Sequence, residues 1–252
     1  MKISISGIRG VYGTDFFPQD VIRFCDGFSK LIKNGKCVIG RDTRTTGEMI
    51  EKLVSATLLE KGIDVQILGV TPTPVVFRKA RELGAGIVIT SSHNPLEWNG
   101  LKFIIEGRGI TEKELEVVKN ERNSNRPKLG KESIGISNYV SDAVKVIGKL
   151  EQEKYVTVDI GGGSAKYVAP ELLKEIGCQV TTINDELATC TRGPDPTTDE
   201  LTELINKTKQ VGFAFDLDSD RMILVMNGKK KSSDITLGLG VVKAIKLGIK
   251  KF

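Results

Sequence analysis

The sequence predicts an α/β protein of mixed layers arranged as two consecutive units, and three observations carry that prediction. Short apolar runs at 37–40, 65–68 and 86–89 alternate with helix-like segments at 19–33, 46–61 and 74–83. A polar stretch at 119–133 that holds Pro127 and Gly130 marks a linker. Beyond it, strand-like 155–159, a glycine-rich turn, a helix reaching Ile176 and strand-like 179–183 form a second, βαβ-like unit.

In the first unit, Arg9 follows a short strand and lies between Gly7 and Gly10, whose small size lets backbone and guanidinium close on an anion. A surface ion pair is the alternative. Arg41 and Arg44 flank Asp42 in what reads as a salt-bridged structural corner. Residues 85–90 form a short buried strand, after which Ser91 and Ser92 leave the sheet and Pro95 prevents its continuation. Strand ends in open α/β sheets are where ligands bind. A serine-hydrolase reading fails: there is no Gly-x-Ser-x-Gly elbow, and the single histidine, His93, directly follows Ser92. Neighbours in extended chain point to opposite sides, so His93 is not expected beside the Ser92 hydroxyl. By itself a Ser-Ser-His turn is more often structural. Lys102, within Gly100-Leu-Lys-Phe103, fits either an acid or base toward a hydroxyl, if burial lowers its pKa, or an exposed strand lysine. A connecting helix is expected at 139–150.

In the second unit, Gly161-Gly-Gly163 is not a dinucleotide fingerprint, because Lys166 stands where the third glycine belongs. A flexible strand-to-helix turn is expected instead. Residues 189–198, with Pro194 and Pro196, read as a loop rather than a site. The apolar run 211–215 delivers Asp216, Asp218 and Asp220 to a loop where their charges repel, a repulsion that a divalent cation relieves. Oxygen-only ligands favour Mg2+, Mn2+ or Ca2+ over zinc. An EF-hand would need Gly and Glu where Arg221 and Asn227 stand. Arg221 instead sets a permanent cation beside the carboxylates, as phosphoryl chemistry requires. A strand at 222–227, a turn at 228–231 and a helix at 235–252 capped by Ser233 or Asp234 complete the chain.

Ser6-Gly-Ile-Arg-Gly10, Gly40-Arg-Asp-Thr-Arg44, Thr71-Pro-Thr-Pro74, the Ser92 loop, Asn99-Gly-Leu-Lys102 and the Asp216 loop together resemble, in order, the α-D-phosphohexomutases. That family includes phosphoglucomutase, phosphomannomutase and phosphoglucosamine mutase. The resemblance implies two consecutive mixed α/β three-layer domains, 1–150 with the connecting helix and 151–231, and the start of a third at 232–252. It implies a mutase that interconverts hexose 6-phosphate and hexose 1-phosphate, of glucosamine, mannose or glucose, through a phosphoserine and a bisphosphate, with hexose 1,6-bisphosphate as activator. Ser92 would be the phosphoserine, and Asp216, Asp218 and Asp220 would hold Mg2+ with one of its oxygens. Arg9, His93, Lys102 and Arg221 would line the pocket, Lys102 managing the proton and Arg221 the charge.

Most members carry Ala at Ser91 and Gly at Leu217, and a glycine permits backbone angles that a branched side chain resists, so the departure at Leu217 bears on the metal geometry that the resemblance implies. Members have four domains; the chain looks like an N-terminal half, incomplete as an enzyme, for which a C-terminal half or a homodimer partner is the expected protein partner. The opening Ser4-Ile-Ser-Gly-Ile-Arg-Gly10 and the run Glu97-Trp-Asn-Gly-Leu-Lys-Phe103 look most like phosphoglucosamine mutases. Two other classes remain open: a non-catalytic sugar-phosphate-binding or association module, and a phosphatase that loses its phosphoserine to water.

Composition narrows the field. The charge of +5 has its acidic and basic residues interleaved and only 6% aromatics beside it, which argues against nucleic acid and suits a sugar-phosphate substrate. No apolar run approaches a membrane span, and Met1-Lys-Ile-Ser lacks the features of a signal peptide, so no membrane partner and a cytoplasmic location are expected. Cys25, Cys37, Cys178 and Cys190 have no Cys-x-x-Cys spacing and read as reduced, partly buried thiols.

Overall fold

The computed structural model describes residues 1–120, 122 and 128–249. Part of the expected linker, including Pro127, and the end of the expected last helix lie outside the described residues.

The first unit runs β1 (Lys2–Ser4), β2 (Gly7–Val11), α1 (Pro18–Ser29), β3 (Lys36–Arg41), α2 (Gly47–Glu60), β4 (Asp64–Val70), α3 (Thr73–Leu83), β5 (Ala85–Ile89), β6 (Trp98–Ile105), β7 (Arg108–Gly109), α4 (Glu112–Asn120), β8 (Glu132–Ile134) and α5 (Tyr139–Ile147). Its mixed sheet has the order β1-β2-β6-β5-β3-β4-β8, with β7 paired to β6. Strands β5, β3, β4 and β8 run parallel, whereas β6 is antiparallel to β5 and β2.

Period-two alternation decides which helices cover which face. Cys37, Ile39, Ile87 and Ile89 point into a core with Phe24, Phe28, Ile50, Val54, Leu58 and Val118 from α1, α2 and α4. Their neighbours Val38 and Val88 point the other way, onto Val76 and Ala80 of α3. Helix, sheet and helix thus make three layers, and β5 is buried on both faces as an unbroken apolar strand should be.

The second unit runs β9 (Lys154–Asp159), a 3-10 turn (Ser164–Tyr167), α6 (Ala169–Glu175), β10 (Cys178–Ile183), α7 (Thr202–Lys207), β11 (Val211–Phe215), β12 (Met222–Met226), β13 (Lys229–Lys230) and α8 (Ser233–Lys246). The sheet order is β10-β9-β11-β12-β13, with β9 parallel to β10 and β11, and β12 antiparallel to β11. Val156, Val158 and Ile160 pack toward α6, while Ala214, Ile223 and Val225 pack on Leu204 of α7.

Several boundaries differ from expectation. The single helix expected up to Ile176 is split into the 3-10 turn and α6. Residues Lys229 and Lys230, expected in a turn, pair with Val225 and Met226 as a hairpin. The last helix begins two residues earlier than expected, and its cap is Ser232, whose Oγ accepts from the Asp234 N–H at 3.2 Å. Leu237, Leu239, Val242 and Ile245 of α8 are exposed. Cys25 and Cys37 are fully buried, Cys178 and Cys190 half-buried. Among the described residues no helix is long and apolar enough to cross a membrane.

Candidate active site

The two loops that the sequence singles out leave the C-terminal ends of β5 and β11, and the structure brings them face to face. The Ser92 Oγ donates to Asp216 Oδ2 at 3.0 Å across the boundary between the two units. Ser92 has a left-handed backbone, φ 53°, fixed by its N–H donating to Thr90 Oγ1 at 2.8 Å. This corrects the expectation for His93: the chain is not extended there, and the left-handed residue folds the ring back to put Nδ1 3.4 Å from the Ser92 Oγ. Burial, and then the nearby Arg221, hold the imidazole below its ordinary pKa. The neutral imidazole is therefore favoured at pH 7.

Asp216 and Asp218 are buried and Asp220 is exposed, and one carboxylate oxygen from each lies within 4.8 Å of the others. Burial, then repulsion from Asp218 and Asp220, pushes the Asp216 carboxyl well above the usual range. Burial acts the same way on Asp218, but the Lys102 ammonium and the hydrogen bonds from Lys102, Thr73 and Asp216 together outweigh it and hold that group low. Asp218 Oδ1 is buried and has no hydrogen-bond partner among the described residues. An orphaned anionic oxygen beside two further carboxylates fits a hard divalent cation.

Leu217 needs no glycine-like backbone, because the loop's positive φ falls on Ser219 at 59°. Its side chain is fully buried, and its carbonyl accepts from the N–H and Oγ of Ser164 at 2.8 and 2.9 Å. The glycine run is the expected strand-to-helix turn, and it is tightly packed. Gly161 and Gly162 are left-handed, and a Cβ on Gly163 would stand 2.9 Å from the Leu217 backbone, so these residues seat the acidic loop by close approach.

Lys102 departs most from expectation. It is 8% exposed, and its Nζ lies 2.6 Å from both Asp218 Oδ2 and Asp220 Oδ2. Burial alone would lower its pKa, but the two carboxylates reverse the sign and raise it. With these two carboxylates as partners Lys102 is held as an ammonium in this arrangement.

Arg9, His93, Lys102, Asp220 and Arg221 line one cleft of about 900 Å3 with Ser92. The Arg9 Nε is buried without a hydrogen-bond partner among the described residues, while its Nη2 donates to the Ser6 carbonyl at 3.0 Å. Arg221 Nε stands 3.9 Å from Asp216 Oδ2. The Asp42 corner is deep in the interior rather than at the surface: Asp42 pairs with Arg44 at 3.0 Å, both fully enclosed, and Arg41 turns instead toward Glu51 at 3.6 Å.

Sequence reading missed two contributors. Asp195, in a loop taken as no site, lies 3.8 Å from Arg221 Nη1 and is pinned by the N–H and Oγ1–H of Thr197 at 2.9 and 2.6 Å. The Pro194-Asp-Pro196 sequence was the available signal for a rigid acidic turn. Thr73 gives its N–H to the Asp218 carbonyl at 2.8 Å and its Oγ1–H to Oδ2 at 2.7 Å, so the start of α3 seats the acidic loop.

Comparison with known proteins agrees with this architecture. The family described as "Phosphoglucomutase/phosphomannomutase, alpha/beta/alpha domain I" matches residues 1–128, and the corresponding domain II matches residues 137–229. A protein of Methanosphaera stadtmanae named "Probable phosphoglucosamine mutase" is 38% identical over 87% of this chain and 53% of its own length. The "Phosphoglucosamine mutase" of Alkaliphilus metalliredigens is 35% identical over 88% of this chain and 54% of its own. The crystal structure of a phosphoglucomutase/phosphomannomutase family protein from Burkholderia thailandensis superposes with a TM-score of 0.81 at 26% identity, covering 98% of this chain and 60% of that one. The chain spans about half the length of the curated relatives it matches.

Proposed function

The chain belongs to the phosphoglucomutase/phosphomannomutase family, and on that premise we propose that it carries the phosphoryl-transfer centre of a hexose-phosphate mutase, with Ser92 as the residue that holds the phosphoryl group. The observation that carries this reading is the Ser92 hydroxyl 3.0 Å from Asp216 in a cleft that also presents Arg9, His93, Lys102 and Arg221. No hydrolase triad is built around that serine, because His93 approaches its Oγ at a long 3.4 Å and carries no carboxylate partner among the described hydrogen bonds.

In the forward step the Ser92 Oγ–P bond breaks as an O–P bond forms at the free hydroxyl of a hexose monophosphate, giving a bisphosphate. The hydroxyl proton leaves, and neutral His93 is the cleft's candidate acceptor. Lys102 lines the same cleft and, as an ammonium, would offset charge on the departing Ser92 oxygen. Arg9 and Arg221 offer donors to phosphoryl oxygens, the unpartnered Arg9 Nε above all. Mg2+ held by Asp216, Asp218 and Asp220 would supply further neutralisation of the transferring group. A hexose 1,6-bisphosphate would load the serine. Glucosamine 6-phosphate is the first substrate to try, because the curated relatives bear that name.

The test is phosphopeptide mass spectrometry after incubation with a hexose 1,6-bisphosphate and Mg2+. Wild type is expected to gain one phosphoryl group on Ser92 and Ser92→Ala none. Label of equal extent in both, or no label in either, refutes the assignment.

A further inference from the structure

Arg44 is the bulkiest fully enclosed side chain among the described residues, yet it does not line the cleft. A guanidinium has five N–H donors, and here every one is engaged. Nε donates to Asp42 Oδ2 at 3.0 Å. Nη2 donates to the carbonyls of Ser92 and Asn94 at 2.6 and 2.7 Å, and Nη1 to those of Trp98, at 2.9 Å, and Pro95. Four of the five bonds therefore gather carbonyls of the loop that carries Ser92 and of Trp98, the first residue of β6 into which it runs. A buried cation is costly unless fully satisfied, and one placed for stability alone has no need to collect one loop in this way.

The same assembly grips the other side of the Ser92 residue. Its N–H donates to Thr90 Oγ1 at 2.8 Å, Thr90 Oγ1–H donates to Asp42 Oδ2 at 2.7 Å, and Asp42 Oδ1 accepts from the Arg44 N–H at 3.0 Å. The left-handed φ of Ser92 aims its Oγ at Asp216, and a non-glycine residue holds such a backbone only where its surroundings over-determine it.

We infer that Arg44, braced by Asp42 and Thr90, is the positioning residue that sets the Ser92 hydroxyl in line for phosphoryl transfer. Arg44 touches neither the hydroxyl nor the cleft and acts through the loop backbone. Lysine cannot substitute, because its three donors do not form a planar fork that spans four carbonyls. The catalytic part of this inference rests on the reading proposed above.

The test compares the wild-type chain with Arg44→Lys and Thr90→Val by two readouts. The first is the rate and the half-saturating concentration of Ser92 phosphorylation by hexose 1,6-bisphosphate with Mg2+. In Arg44→Lys the rate is expected to fall about 100-fold, the effect of a displacement near 1 Å, with half-saturation within about twofold of wild type. A generally loosened fold would weaken both. The second readout is amide hydrogen exchange, in which Ser92 and Asn94 are expected to exchange at least about tenfold faster while β9 and β11 are unchanged. Wild-type rate and wild-type exchange in Arg44→Lys would overturn the inference, as would a loss carried by half-saturation. Should Arg44→Lys fail to fold, Thr90→Val decides on the same two readouts, with a smaller rate loss expected and no change overturning it. Should wild type take up no phosphoryl group, the proposed function fails and exchange alone judges the positioning.

Discussion

Replacing Lys102 by methionine keeps the apolar stem and removes the ammonium that lies 2.6 Å from Asp218 Oδ2 and Asp220 Oδ2. Asp220 is about a third exposed, so water takes over its share and little stability is lost there. Asp218 is fully enclosed; its Oδ2 would keep only the Thr73 Oγ1 bond at 2.7 Å, and its Oδ1 has no partner. Removing one member of a buried pair costs about 3–5 kcal/mol, and the surviving Thr73 bond brings the expectation to about 2–3 kcal/mol. At roughly 2–4 °C per kcal/mol for a chain of this size, the midpoint of thermal unfolding should fall by about 4–12 °C in EDTA. Mg2+ should restore part of that loss, because a cation at about 100 times its Kd adds about 2.7 kcal/mol and in the variant no ammonium competes for the same oxygens. The sign with pH follows from the raised pKa. The pair's contribution is fully present between 3.8 and 10.5, the ordinary aspartate and lysine values, and fades as pH rises through the higher folded-state value of Lys102 or falls through the lowered one of Asp218. The gap between wild type and variant should therefore persist at neutral pH and close in strong alkali and in strong acid. Equal midpoints in EDTA, or a Mg2+-induced rise no larger in Lys102→Met than in wild type, would refute this account.

The single histidine gives a clean NMR titration, and its midpoint should lie below 6.5, the ordinary value, since burial and Arg221 both disfavour the imidazolium. Asp195 acts in the opposite sense, so Asp195→Asn should lower the midpoint further, and an upward shift would contradict the geometry. Gly163→Ala drives a Cβ to 2.9 Å from the Leu217 backbone and 3.1 Å from the Asp216 carbonyl, atoms that cannot rotate away. It should cost about 1–3 kcal/mol and shrink the Mg2+-induced rise in unfolding temperature, with calorimetry as the check. Ser92→Ala removes one bond to Asp216 and should cost only about 0.5–1.5 kcal/mol while abolishing phosphoryl uptake, so a well-folded, unlabelled protein is the expected product.

Local pattern made the layers readable. The alternation of Val38 with Ile39 and of Ile87 with Val88 assigns each side chain to a face, because a strand's period is two and needs no distant information. The ends of β5 and β11 were equally legible: an apolar run stops where Ser92 or Asp216 begins, and Pro95 or three carboxylates forbid continuation. The backbone at Ser92 was not, since its left-handed φ depends on Thr90, Asp42 and Arg44 closing around it, and so the approach of His93 was misjudged.

Electrostatic character belongs to the tertiary structure for the same reason. Burial alone would have lowered the Lys102 pKa, and it is raised because folding brings in Asp218, 116 residues away. Thr73 likewise gains a role only when two separately encoded units meet, and Asp195 only when its loop folds onto Arg221 within the second unit. Residue types, their periodicity and the loops they terminate were written within a few neighbouring positions of the chain. Which proton each group keeps, and which way Ser92 faces, came from contacts between segments far apart, where distance and burial rather than order along the chain set the energy.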